Sequence, residues 1–419
     1  MINYALSILL FISVIPSGEV IEKRFNKHIS KTSDHFLKGD LEAAKSSAID
    51  AHQMATDHGY EWGETKSLFV LAFIHEKTRE YENALPYYLE SIGRYEQFGT
   101  TEAINDYAKV LFNIGNIMRV NDKHDLAIKY YNQGIEYALE HDLKGMLLDN
   151  LHNKIIVCNE SGLYDLALET INYKNERISE SDLPEKLKTI NELGLLYENQ
   201  TRFEEAIKTF YFIVEAEKNH PSSRFSGKAY NNIGNIFLKQ GKTDKARKAF
   251  YEALLLAEKD DKTQDIYQIR QSLAITEKTD LNFEKALSHA KVGIELFDKV
   301  AKTRENIEFQ SLISDLYLET GDILAGKKHG KRYFEEISNY FEVQEKLNSI
   351  GNQYKIDYIT SSYFNKQEKQ QTLYLFLIVI GAMIFSFLLY LLYQYYKKVQ
   401  IAKLIREQMN SVSFDLDEL

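Results

Sequence analysis

YNNIGNIFLKQGKTDKARKAFYEA, residues 230–253, holds two small residues, Gly234 and Ala246, 12 positions apart around a polar break at Gln240-Gly241-Lys242. Apolar and small positions on either side recur at helical spacing, with Phe250 four residues after Ala246. This pattern predicts two antiparallel helices whose small side chains let the backbones cross closely. The same signature extends in both directions from here. Ala44, Ala84, Ala127, Ala167, Ala206, Ala246, Ala286 and Gly326 follow one another at intervals of 40, 43, 40, 39, 40, 40 and 40 residues. The earlier small residue returns as Ala72, Gly115, Gly194 and Ala274, with Ile155 as the bulky exception. Aromatics precede the marker at Tyr81, Tyr164, Phe203 and Phe283 and follow it at Tyr88, Tyr131, Phe210 and Phe250. Such a period predicts an all-α superhelical solenoid of about eight helix pairs, a class that binds along a concave surface and rarely performs chemistry.

The multi-position pattern resembles the tetratricopeptide repeat family over residues 30–337. It is clearest at Asn113-Ile114-Gly115 with Ala127 and Tyr131, at Leu193-Gly194 with Phe203, Ala206 and Phe210, and at Ile233-Gly234 with Ala246 and Phe250. The spacing is longer than the usual repeat of about 34 residues, which places extra length in helices and connecting loops. The resemblance implies that first helices line the groove and that an asparagine two residues before the helix glycine holds a bound peptide's backbone. Asn113, Asn153 and Asn232 occupy that position, with Glu192 replacing it in the fifth copy. Asn116 and Asn235 lie one helical turn further on. Phe69 and Phe73 are expected to offer an apolar pocket at one end of the groove, and Arg119 a charge anchor. A carboxamide suits this role because it donates and accepts at once.

Composition narrows the function classes. Net charge is -10, which argues against nucleic acid as a partner, since phosphate binding needs a basic surface. One cysteine, Cys158, excludes an internal disulfide framework and reads as a packed residue on a first helix. Gly241-Lys242-Thr243 lacks the second glycine of a phosphate-binding loop, because Ile236 stands in its place. The 11 histidines form no zinc spacing, and His124 and His152 read as ordinary repeat positions. Neither catalytic residues, metal ligands nor a cofactor are expected. Pro86 is expected in the first turn of its helix, where no backbone N–H is needed.

Two apolar segments flank the repeats. Residues 1–18 resemble a signal peptide, with an apolar core from Tyr4 to Ile15 before Pro16-Ser17-Gly18 and no basic lead-in. No formal charge occurs between Lys369 and Lys397, and Leu373 to Tyr393 is long enough for one transmembrane helix, set at 372–396. Lys397, Lys398, Lys403 and Arg406 then place the C-terminal tail, 397–419, in the cytoplasm and the repeats outside it. Between repeats and span, 338–371 reads as a helical stalk whose Tyr340, Val343, Leu347, Ile350 and Tyr354 form a short seam. That seam, with the Ala382/Ser386 pair, offers a homodimer contact through stalk and span.

The order resembles bacterial inner-membrane sensors that carry extracytoplasmic tetratricopeptide repeats, but without a histidine kinase or helix-turn-helix output. The expected function is therefore a membrane-anchored module that binds a protein or peptide and signals through a separate cytoplasmic partner. Two alternatives stand beside it: a structural envelope scaffold, and the truncated sensor part of a kinase or transcriptional regulator.

Overall fold

The computed structural model describes residues 18–218, 225–300, 303–350 and 352, together with 386–394, 396–398, 400–401 and 403. These fall into two units, 1–350 and 351–419. Among the described residues there are helices and no strands.

In the first unit the helices come in eight antiparallel pairs. They are α1 (Gly18–Leu37) with α2 (Leu41–Asp57), α3 (Glu61–Lys77) with α4 (Tyr81–Tyr95), and α5 (Thr101–Val120) with α6 (His124–Glu140). Next come α7 (Lys144–Glu160) with α8 (Tyr164–Asn175), α9 (Leu183–Asn199) with α10 (Phe203–Lys218), and α11 (Ser226–Lys239) with α12 (Thr243–Lys259). The last two are α13 (Thr263–Thr279) with α14 (Phe283–Leu296), and α15 (Arg304–Glu319) with α16, residues 323–350.

Each pair turns through a left-handed residue five positions before its marker. The eight are Gly39, Arg79, Asp122, Gly162, Thr201, Gly241, Leu281 and Gly321, all with φ between 56° and 87°. The turn closes with a backbone bond such as Lys242 N–H to the Phe237 carbonyl at 2.9 Å, which satisfies an orphan helix end. Gly241 is therefore a turn residue and not part of a phosphate loop. First helices start on side-chain caps at Thr100, Asp182 and Thr303, each accepting a backbone N–H three residues on.

Inside a pair, the glycine of the first helix is matched to an aromatic ring 16 residues later. A methyl group added at Gly115 would stand 2.5 Å from Tyr131, at Gly194 2.5 Å from Phe210, and at Gly234 2.5 Å from Phe250. Those three rings are fully buried. Where the first position is larger the second shrinks, as in Ile155 with Ile171, both fully or nearly fully buried. Cys158 is buried on α7, as expected of a packed first-helix residue, and burial pushes its thiol up to about 11. Pro86 lies one turn deeper in α4 than expected, so it withholds an N–H from the helix ladder.

The seam read as a stalk is occupied by the chain's own repeats as far as it is described. Leu347 is 2% exposed and joins a cluster with Ala84, Tyr88, Leu111, Ile114 and Met118, against which Val343 and Ile350 also pack. Tyr340 belongs to a second cluster, with Phe297, Ile307 and Phe309. An apolar stripe at helical spacing needs a partner surface, and here the second and third pairs supply it, with the seventh and eighth at Tyr340. Tyr354 and the rest of the stalk from 353 to 371 lie outside the described residues, as do 1–17 of the leader and most of the span.

In the second unit, residues 386–394 and 396–398 are helical, with Phe387 to Tyr393 exposed. Among the described residues no helix is long and apolar enough to cross a membrane.

Candidate functional site

Along the stack, first helices of consecutive pairs approach one another: α3 with α5, α5 with α7, α7 with α9, α9 with α11, and α11 with α13. The row of helices that lies closest together is the inner row of a curved stack, so the first helices form the concave wall.

That wall is crossed by a run of polar side-chain bridges, at least one between each pair of neighbouring first helices from α5 to α13. Asn153 on α7 donates to Asn116 on α5 at 2.8 Å. The His152 ring nitrogen Nδ1 meets Glu192 Oε1 across α7 and α9. Asn232 on α11 donates to Asn191 on α9 at 3.1 Å. Ser272 on α13 donates to Asn235 on α11 at 3.2 Å. Second helices contribute as well: the buried Tyr131 extends its hydroxyl to Asn116 Oδ1 at 2.9 Å, and Asn113 donates to the Tyr88 hydroxyl at 2.8 Å. All five asparagines expected to line the groove thus lie on first helices and are half-buried, and each bonds another part of the chain. They bring adjacent repeats together as amide-to-amide or amide-to-hydroxyl contacts.

Arg119 lies one turn past Asn116 and reaches Glu160 on α7 at 3.3 Å. Phe69 and Phe73 stand together on α3, with ring centroids 6.5 Å apart. Their faces are already met by Tyr88 at 6.1 Å and Phe36 at 5.4 Å. Lys66 and Lys77 sit over the two rings at 5.8 and 4.7 Å. The expected apolar pocket is therefore a filled aromatic cluster at one end of the wall.

Sequence reasoning missed the joint between the fourth and fifth pairs. Glu192 and Lys174 are 1% and 0% exposed, with Lys174 Nζ 3.3 Å from Glu192 and 2.9 Å from Glu185. Burial lowers Lys174 to about 8, against the opposing pull of Glu185. Burial, followed by the charges of Lys188, Lys174 and Arg119, depresses His152 to about 2 and holds it neutral, so its Nδ1–H donates to Glu192. The one signal available in advance was the carboxylate at position 192, where three other copies carry asparagine.

Residues 227–260, which cover all of α11 and α12 except Ser226, match the tetratricopeptide repeat model. One helix pair of the chain thus matches the tetratricopeptide repeat, and the other pairs share its helix–turn–helix form. No curated protein shows significant sequence similarity to it. Among solved structures it is similar to a tetratricopeptide repeat protein from Parabacteroides merdae, at 14% identity and a TM-score of 0.51, covering 71% of this chain and 99% of that one. It is also similar to the apo form of the quorum sensor NprR from B. thuringiensis, at 13% identity and a TM-score of 0.52, covering 75% and 87%. Aspartyl phosphate phosphatase F from Bacillus subtilis matches at 15% identity and a TM-score of 0.50, covering 73% and 74%. At these identities the likeness concerns the fold.

Proposed function

We propose that the first-helix wall binds an extended peptide or protein segment, and that the chain presents this wall from a bacterial inner membrane. The observation that carries the binding reading is the run of half-buried amides from Asn113 to Asn235. A carboxamide bonded to another carboxamide can exchange that partner for a peptide group with little net change in hydrogen bonding. A peptide backbone offers such groups at regular intervals and without regard to its sequence. Shape and side chains of the bound segment then have to supply selectivity.

Titratable groups at the joint between the fourth and fifth pairs are held by one another. Lys174 is fully buried, Glu192 is shared between Lys174 and His152, and the neutral His152 is tied to Glu192. These contacts join two repeats.

Anchoring and orientation rest on the uncharged run from Leu373 to Tyr393 and on the cations after it. With the repeats outside the cytoplasm, a sensory role requires a separate partner on the inner side. Protease accessibility in intact cells tests this: the repeats should be cleaved and the tail protected, and the reverse pattern overturns the orientation.

For the groove, a peptide selected by display against the full chain is titrated into the Asn113→Ala, Asn232→Ala double variant. Affinity should fall at least tenfold with the melting transition still cooperative. Unchanged affinity rejects the amide wall as the binding surface.

A further inference from the structure

We propose that the C-terminal half of α16 is a releasable clasp, docked on the turn of the third pair and opened when the groove is occupied. The second helices α2, α4, α6, α8, α10, α12 and α14 are 12 to 17 residues long, whereas α16 runs from 323 to 350. Its surplus turns carry the contacts in question. The Tyr340 hydroxyl donates to Asp122 Oδ2 at 2.6 Å, and Gln344 Nε2 donates to Asn121 Oδ1 at 2.8 Å. Leu347 is buried one turn further along. The two hydrogen bonds join residues 218 and 223 positions apart, so a helix belonging to the eighth pair touches the third.

Three features make this contact suited to opening. Among the described residues it consists of two side-chain bonds and a short apolar seam. The Gln344 carbonyl oxygen is buried and meets no donor among the described residues, so the docked state leaves an acceptor that undocking would hydrate. The docking turn uses Asp122 in the left-handed conformation where four other copies use glycine, which places a carboxylate under Tyr340. The closure is also tied to the groove. Asn121 caps α5, the helix that carries Asn113, Asn116 and Arg119. A ligand that takes over the Asn113–Tyr88 and Asn116–Tyr131 bonds alters the packing of α5 on α4 and α6, and with it the seat of Asn121.

This rests on the groove reading above for its ligand and on the clasp alone for its closure, so the experiment has two arms. Amide hydrogen exchange is measured first on the ligand-free full chain in detergent. Residues 338–350 should open at least tenfold more readily than the core of α9 to α12. Leu347→Asp should speed exchange at 338–350 and 117–124 at least tenfold while α9 to α12 stay unchanged. Equal protection of 338–350 and that core overturns the clasp, as does uniform loosening of every pair in the variant. In the second arm a display-selected peptide is added. Coupling is reciprocal, so a ligand that opens the clasp must bind Leu347→Asp more tightly, by at least fivefold. Equal affinity for both proteins overturns the coupling, whereas failure of any peptide to bind bears on the groove reading and leaves the first arm standing.

Discussion

Within the third, fifth and sixth pairs, a first-helix glycine faces a ring of the second helix; between pairs, the amides of that same first helix reach sideways to the next repeat. The first contact works by excluded volume. Gly115, Gly194 and Gly234 have no room for a methyl group, and the rings opposite are sealed from water. The second works by exchangeable bonds at a half-buried surface, as between Asn116 and Asn153 or Asn191 and Asn232. Register within a pair is therefore rigid, while contact along the groove can be traded for contact with a ligand. One joint departs from this division. Between the fourth and fifth pairs, the groove-side bridge runs from neutral His152 to Glu192 and continues into an ion pair with a fully buried lysine.

That ionic joint should give the largest effects. Lys174→Met leaves Glu192 buried without its cation and should cost about 3–5 kcal/mol in denaturant unfolding. Adding Glu192→Leu should recover most of the loss, because an apolar replacement of the whole pair removes the stranded charge. Recovery would show that the joint is not needed for the fold; failure to recover would show that it is. The joint also has a pH signature. Lys174 is held to about 8 in the fold and unfolds to an ordinary lysine near about 10.4, so the unfolded chain binds more protons in between. Its contribution to stability therefore rises from pH 8 to 10. His152, depressed in the fold, contributes stability above its ordinary value of about 6.5 that is lost progressively as pH falls from there to about 2. Differences between wild type and Lys174→Met or His152→Gln across these windows isolate each group.

Next comes the steric contact. Gly234→Ala should destabilise by about 1–3 kcal/mol through overpacking against Phe250. Combining it with Phe250→Leu should restore part of that loss, which tests whether volume alone sets the register. A groove amide should matter less for stability: Asn116→Ala leaves Tyr131 and Asn153 short of a partner at a half-buried site and should cost about 1 kcal/mol. A cost as large as that of Gly234→Ala would erase the distinction between rigid pair and exchangeable wall. The smallest effect is favourable. Leu281 holds φ of 60° where Gly39, Gly162, Gly241 and Gly321 hold similar values without a side chain. Leu281→Gly should raise stability by up to about 1 kcal/mol, read as a higher melting temperature.

The helix pairs were legible because their determinants are local and recur. Gly234, Ala246 and Phe250 fall at fixed offsets, and a close backbone crossing tolerates few substitutes. The asparagines were legible as first-helix positions but not as mutual partners, since Asn116 and Asn153 are 37 residues apart and Asn191 and Asn232 are 41. Those offsets vary with loop length, so no constant period marks them. Lys174 gave no warning at all: a lysine on a second helix reads as solvated until Glu185 and Glu192 are seen to enclose it. The seam from Tyr340 to Ile350 had the spacing of a helix that needs a partner, but spacing does not say which one. Its partner, the Asn121–Asp122 turn, is more than 200 residues away in the chain.

The account turns on which face of the repeats meets the ligand, and a display-selected peptide carrying photoreactive groups reads this directly by mapping its crosslinks on the full chain. The account predicts attachment on α5, α7, α9 and α11, near Asn116, Asn153, Asn191 and Asn232. Attachment instead to second helices, around the exposed Tyr211, Phe212 and Tyr251, would contradict it.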